Sequence, residues 1–164
     1  MAINYEALAN FRYEIRRFLN FSESAAHAAG IEPQQHQALL AIKGLCPGET
    51  ATVGMLADRL QIQHHSAVEL SHRLESKGLV SRSRAQRDRR QVLLALTPRG
   101  EKLLRELSSV HHGELSVAGP RLINALRNAV NTPSREMKTG PKGCKASSVL
   151  SRAPRRIARR RSSK

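Results

Sequence analysis

The chain has 164 residues, the size of one ordinary domain with an appendage. Lys and Arg number 28 against 13 Asp and Glu, and this formal charge of +15 predicts a polyanionic partner, nucleic acid before an anionic membrane surface. There is no apolar run near the roughly 20 residues of a membrane span, no secretory signal, and too few cysteines (Cys46 and Cys144) for a disulfide framework or a zinc knuckle. We therefore expect a cytoplasmic protein without a membrane partner.

The charge is concentrated in two places. Residues 131–164 hold eleven of the basic residues and one acid, which gives this segment +10 and leaves +5 for the rest. Its Pro, Gly and Ser content predicts a disordered tail, because so little apolar surface cannot offset the ordering entropy. The tail is interpreted either as an additional DNA-contacting arm or as an extension without a selected role. The second concentration is the segment 82–90, with five arginines and one aspartate.

Apolar residues at helical spacing predict a first helix from Tyr5 to Ala29, closed by Gly30. All five aromatic residues lie within the first 21 residues of the chain, and such a stripe must be covered by the core or by a second subunit. A second helix is predicted from Pro33, a good first helical residue, to Gly44.

The next segments predict a helix-turn-helix and a hairpin. Thr52 is a suitable N-cap for a short helix over 53–60, and a longer helix follows over 63–77 after a tight turn. After Gly78 the apolar period changes, and two strands are predicted over 79–84 and 91–97 around a basic turn. Thr97 and Pro98 begin another helix that runs to His112 and Gly113, and a last helix has Pro120 near its start.

Three segments carry a resemblance to the MarR family of winged-helix regulators. They are Arg73-Leu-Glu-Ser-Lys-Gly-Leu-Val-Ser-Arg82, Asp88-Arg-Arg90 and Leu96-Thr-Pro-Arg-Gly100, which resemble the family's recognition-helix end, wing tip and cap of the long dimerisation helix. The resemblance covers about residues 5–130. It implies a mainly α fold with a small β-hairpin wing, that is, a winged helix-turn-helix with N- and C-terminal dimerisation helices.

The predicted organisation has four parts. An N-terminal dimerisation helix occupies 1–30, the winged DNA-binding lobe 31–97, the C-terminal dimerisation helices 98–130, and the basic tail 131–164, which has no counterpart in the resemblance. The family implies a homodimer on pseudo-palindromic double-stranded DNA, which in many members a small phenolic or other aromatic ligand releases.

The longer helix and the hairpin supply the predicted DNA contacts. The predicted residues are His64, His65, Ser66, Glu69 and Arg73 on the helix, and Arg82, Arg84, Arg87, Asp88, Arg89 and Arg90 on the hairpin. The helix begins without Arg or Lys, the usual guanine readers, but His and Ser can bond base edges and Glu69 can accept from a cytosine amino group. The alternative is that Glu69 forms a local pair and that affinity comes from the wing.

For the hairpin, the resemblance implies that Arg90 enters the minor groove, where a planar cation meets a focused negative potential. It also implies that Asp88 orients the neighbouring arginines and that Arg87 and Arg89 flank phosphates. Arg73 is placed for a phosphate or for pairing with Asp88. The alternative for the hairpin is a solvated charged turn.

The resemblance also implies ligand-binding residues on the first two helices: Tyr13, Arg16, Arg17 and His36. The seven histidines show no metal-binding spacing, so we expect no metal, and His111 and His112 are interpreted as partners of a helix-end dipole, with a metal site across a dimer as the alternative. No catalytic motif is present, so we expect neither an enzyme nor a cofactor.

Two hypotheses of function follow. The first is a ligand-responsive, sequence-specific transcriptional regulator, a repressor. The second is an architectural or non-specific DNA-binding protein in which the tail supplies most of the affinity. On either hypothesis we expect a cytoplasmic, nucleoid-associated location.

Overall fold

The computed structural model describes residues 3–86, 88 and 90–131. The predicted tail beyond Asn131, and the wing residues Arg87 and Arg89, therefore lie outside the described residues. The described elements are α1 (Tyr5–Ala28), α2 (Pro33–Lys43), α3 (Val53–Leu60), α4 (His64–Ser76), β1 (Val80–Arg84), β2 (Val92–Leu96) and α5 (Pro98–Asn131). The fold is mainly α with one β-hairpin, as predicted.

Local signals set most of the helix ends. The Thr52 side chain accepts the Met55 N–H at 3.0 Å and so caps α3, as predicted. Gly30 follows the end of α1 with φ of +77°, a conformation that favours glycine. In the turn between α3 and α4, Gln61 takes the left-handed conformation with φ of 52°, and its side-chain amide donates to the Asp58 carbonyl at 2.7 Å.

The C-terminal part differs from the prediction. Two helices were expected after Thr97, but α5 is a single helix of 34 residues with Pro120 inside it. Its buried residues Leu107, Ala118 and Ala125 lie on both sides of the proline. Burial along the whole helix therefore offsets the hydrogen bond that Pro120 cannot donate.

Helix α5 runs antiparallel to α1, as two contacts show. His111 contacts Ser22 at 2.8 Å, and further along α5 the Arg121 guanidinium lies 3.6 Å from the Glu14 carboxylate nearer the start of α1. The two long helices thus pack side by side next to the lobe that contains α2–α4 and the hairpin.

The lobe has one hydrophobic core. Its largest fully buried side chains are Leu39, Leu56, Leu70, Leu74, Leu79 and Val80. These come from α2, α3, α4 and the start of the hairpin, so burial of these leucines fixes the position of α4 against the rest of the lobe.

The hairpin is antiparallel, with a register from Val80 opposite Leu96 to Arg84 opposite Val92. Its free edge on the β2 side is partly covered, because the Leu94 N–H donates to the Ala51 carbonyl at 2.8 Å. Among the described residues, no helix is long and apolar enough to cross a membrane.

The start of α5 is fixed to the lobe by Thr97. Its hydroxyl donates to the Gly78 carbonyl at 2.7 Å and accepts the Gly100 N–H at 3.1 Å. Nearby, the Lys43 ammonium donates to the Glu101 carboxylate at 2.6 Å, and this hydrogen bond and charge lower the pKa of Glu101. The helix that carries the predicted dimer face is thus tied to the DNA-binding lobe through both α2 and the turn between α4 and β1.

Candidate nucleic-acid interface

Helix α4 has one buried and one exposed face, as its apolar spacing predicted. Ala67, Leu70 and Leu74 are buried in the lobe. The predicted DNA-contacting residues lie on the other face: His64, His65, Glu69 and Arg73 are exposed, and Ser66 is half-buried. His72 is also exposed on this face. Glu69 forms no ion pair with any described residue, so the local pair considered as its alternative is not observed.

The C-terminal end of α4 is fixed by Lys77. Its ammonium donates to the Gly30 carbonyl at 3.2 Å and to the Gln35 side chain at 3.1 Å. Gln35 is buried, and its side-chain oxygen also accepts the Glu32 N–H at 3.1 Å in the capping box of α2. These contacts anchor α4 to the turn between α1 and α2, and nothing in the local sequence pattern pointed to them.

The wing tip is organised by Asp88. Its carboxylate accepts the Arg90 backbone N–H at 3.0 Å and the Gln91 side-chain amide at 3.3 Å. Asp88 therefore shapes the backbone at Arg90, and no ion pair joins it to Arg73 among the described residues. Arg84 and Arg90 are exposed. The positions of Arg87 and Arg89 lie outside the described residues, so their predicted phosphate contacts stay predictions.

Arg82 differs from the other hairpin arginines. Only 14% of its side chain is exposed, and its guanidinium lies 3.4 Å from the Glu75 carboxylate on α4. The same Nη1 also contacts the imidazole of His72, at 2.9 Å from Nε2. Arg82 thus faces α4, and its predicted contact with DNA stays a prediction.

Three of the four predicted ligand residues come together. Tyr13, Arg16 and Arg17 line one open groove along α1, with Asn20 and Glu23 at its other end. The Arg17 guanidinium lies 5.9 Å from the centre of the Tyr13 ring. His36 does not line this groove.

His36 instead lies between the helices, in contact with His111. The two ring centres are 4.6 Å apart, and Phe18 and Phe21 of α1 meet the His111 ring edge to face. His36 is buried and its Nδ1 has no hydrogen-bond partner among the described residues. Burial, and then the neighbouring His111, lower the pKa of His36, which favours a neutral ring.

The interpretation of His111 as a helix-end residue is wrong, because α5 continues through it. Its Nδ1 lies 2.7 Å from the Leu107 carbonyl and its Nε2 2.8 Å from the Ser22 hydroxyl. Within the described residues, no three His, Cys, Asp or Glu side chains are grouped to hold a metal ion.

A helix-turn-helix whose second helix has an exposed polar face, followed by an arginine-bearing hairpin, defines the winged-helix class of DNA-binding folds. Within this class, residues 29–91 match the sequence model of the MarR family, which confirms the resemblance seen in the sequence. A comparison with curated protein sequences found no match.

The fold is also that of MarR-family structures. AbsC, a MarR family transcriptional regulator from Streptomyces coelicolor, is 17% identical with a TM-score of 0.65 over 80% of this chain and 93% of AbsC. MepR, a regulator of the Staphylococcus aureus multidrug efflux pump MepA, is 21% identical with a TM-score of 0.62 over 77% of this chain and 93% of MepR. CouR from Rhodococcus jostii RHA1, solved with p-coumaroyl-CoA, is 21% identical with a TM-score of 0.52 over 73% of this chain and 88% of CouR.

Proposed function

We propose that the protein is a sequence-specific transcriptional repressor that binds a pseudo-palindromic DNA site as a homodimer in the cytoplasm. The observation that carries this proposal is the placement of the exposed face of α4 beside the arginine-bearing hairpin on one rigid lobe. A helix with such a face fits the major groove, and a hairpin beside it reaches the adjacent minor groove.

In this arrangement the two elements have different roles. His64, His65 and Ser66 at the start of α4 would meet base edges, and Arg84 and Arg90 would meet the phosphates and the minor groove. A MepR variant has been solved bound to an oligodeoxyribonucleotide, at 22% identity to this chain and a TM-score of 0.54, which supports DNA as the ligand of this lobe.

The homodimer is supported by apolar side chains that α1 and α5 leave uncovered. Tyr5 is 74% exposed and Val130 is 73% exposed, at the ends of the two helices that meet in the antiparallel pair. Ile3, Ile123 and Leu126 are also exposed. A second copy covering these residues would place two α4 helices about a two-fold axis, as a pseudo-palindromic site requires.

A small aromatic acid is the proposed effector. The groove lined by Tyr13, Arg16 and Arg17 offers an aromatic ring and two guanidinium groups, which suit the ring and the carboxylate of such a ligand. CouR, which has been solved with p-coumaroyl-CoA, supports an aromatic acid derivative as the class. Because the groove lies on α1, a ligand there would act on the helix that carries the dimer face.

The test of the DNA-binding role is selection of bound sequences from a random DNA pool, with the full chain and with a chain ending at Asn131. We expect a two-fold symmetric site from both. Uniform recovery of all sequences by both proteins would instead support the architectural alternative.

Variants then assign the contacts. Arg90→Ala should weaken binding to the selected site and relax any preference for A·T-rich flanks. His27→Ala, at an exposed position of α1 outside α4 and the hairpin, is the control and should bind as the parent does. Equal affinities for the two variants would contradict the role of the wing.

A further inference from the structure

The cluster of Arg82, Glu75 and His72 joins the two elements of the proposed DNA-binding surface. Arg82 lies on β1, and Glu75 and His72 lie one turn apart on α4. The guanidinium is the least exposed of the three groups, at 14% of its side chain against 44% for Glu75 and 59% for His72. Its Nε is buried and has no hydrogen-bond partner among the described residues. The guanidinium is therefore largely removed from water, and Glu75 and His72 on α4 are the polar partners that replace it.

The contacts of the Arg82 guanidinium restrict the positions of His72 and Glu75. A guanidinium carries only N–H donors and stays charged at every accessible pH. The Nη1 atom of Arg82 contacts both ring nitrogens of His72, Nδ1 and Nε2, so the imidazole is held against the end of the arginine. Glu75, at 3.4 Å from the guanidinium and 4.0 Å from the His72 ring, compensates the arginine charge.

We propose that Arg82 is a positioning residue for specificity: it holds the hairpin against α4 and so fixes the exposed face of α4 relative to the wing. It does this through Glu75 and His72, without touching DNA itself. This inference rests on the proposed DNA-binding function. It gives Arg82 a role that differs from the direct DNA contact proposed for the exposed arginines of the hairpin.

The salt dependence of binding separates positioning from direct contact. A cation that neutralises a phosphate contributes about −0.9 to the slope of log affinity against log salt, whereas a positioning residue contributes nothing to it. We therefore compare Arg82→Gln with Arg84→Gln, the same change two residues along β1 at an exposed arginine. Affinities for the selected site and for an unrelated duplex are measured over a range of salt concentrations.

The two variants should change different quantities, the affinity ratio in one and the salt slope in the other. Arg82→Gln should lower the ratio of specific to non-specific affinity by about tenfold, the size of one mismatched base pair, with the salt slope unchanged. Arg84→Gln should flatten the slope by about 0.9 per protomer and keep the ratio. A partly unfolded variant would lose both affinities alike, so the ratio reports positioning and not folding. A flatter slope with an unchanged ratio for Arg82→Gln would overturn the proposal.

Glu75→Gln tests the route through α4 and is available even if Arg82→Gln does not fold, since Glu75 lies at the surface. It should lower the same ratio, and the double variant, whose net charge equals that of the parent, should lose no more than Arg82→Gln alone. The proposal would be contradicted if the fold-loss of this ratio in the double variant were the product of the two single losses. It would also be contradicted if Glu75→Gln kept the ratio of the parent.

The same binding assay on the parent protein distinguishes failure of this inference from failure of the proposed function. A parent without any site preference in the same assay would overturn the proposed repressor function. A parent with a clear preference that Arg82→Gln retains would overturn only the role of Arg82.

Discussion

At the scale of single residues, the packing of His36 against His111 is the feature with the clearest physical consequence. Two imidazoles whose centres are 4.6 Å apart, between α1, α2 and α5, cannot both carry a proton without strong repulsion. The His36 ring is buried, so the proton is disfavoured there first.

The folding stability should therefore depend on pH through His36. Its pKa in the folded state lies below the ordinary value of 6.5, which the unfolded chain retains. The unfolded state binds a proton below about pH 6.5 while the folded state does not, so stability is full above that pH and is lost as the pH falls towards the folded pKa. Thermal unfolding between pH 5 and 8 measures this loss.

The variant His36→Phe should flatten that pH dependence. It keeps a ring against His111 and removes a buried nitrogen without a partner, whose desolvation costs about 1–3 kcal/mol, so it should not destabilise the protein at pH 8. His112→Gln, the exposed neighbour of His111, is the control and should retain the slope of the parent. If the His36→Phe protein kept the pH dependence of the parent's stability, the titrating group would be another residue.

At the scale of elements, the junction between the hairpin and α5 is set by a close approach of two backbones. A Cβ at Gly100 would lie 2.0 Å from the Leu79 carbonyl oxygen, so no side chain fits at this point of α5. Thr97 holds the same junction by bonding to both Gly78 and Gly100. The first turn of α5 is therefore fixed to the end of α4 by sterics and by hydrogen bonds.

Two glycines of α5 should respond oppositely to alanine. Gly100→Ala must move the backbone at Leu79 and should destabilise the protein by about 3 kcal/mol or more. Gly113→Ala, on the same helix with nothing within 4 Å of its added Cβ, should stabilise by about 0.5–1 kcal/mol through the lower backbone entropy of the unfolded chain. Urea unfolding of both variants measures the difference, and a similar cost for the two would contradict the close approach at Leu79.

At the scale of the whole molecule, the exposed apolar side chains on α1 and α5 determine how the chain should associate. The replacement Val130→Asp introduces a charge into an apolar face near the end of α5, where the side chain is 73% exposed in one chain. We expect the parent to sediment as a dimer at micromolar concentration and the variant to shift towards monomer, because an unpaired charge in a buried apolar interface is costly. Gln37→Asp, on the exposed face of α2, is the matched control. A parent that sediments as a monomer would exclude the homodimer.

The basic segment beyond Asn131 should act on affinity and not on specificity. Each tail cation that neutralises a phosphate contributes about −0.9 to the salt slope, so deletion of residues 132–164 should flatten the slope by several units per protomer. Charge contacts do not read base edges, so the ratio of specific to non-specific affinity should stay close to that of the full chain. Loss of site preference on truncation would contradict the assignment of specificity to α4 and the hairpin. An unchanged slope and affinity would show that the tail does not bind DNA.

The sequence by itself determined the elements whose signals are local. Thr52, Gly30 and Gly78 fix helix ends through caps and positive φ angles, and the change of apolar period after Gly78 separates the hairpin from the helices. These signals depend on a few neighbouring residues, so the winged helix-turn-helix and the exposed face of α4 could be predicted before any tertiary contact was known.

Only the tertiary structure decided the features that depend on residues far apart in the chain. Pro120 is locally a helix breaker, yet α5 passes through it because buried residues on both sides pack in the fold. Arg82 and Arg84 are equivalent in the sequence, but Glu75 and His72 turn the first inwards and leave the second exposed. His36 meets His111 only because α2 and α5 pack together. Packing and electrostatic pairing across the chain act over distances that no local pattern encodes, and they decide which of the predicted site residues face the solvent.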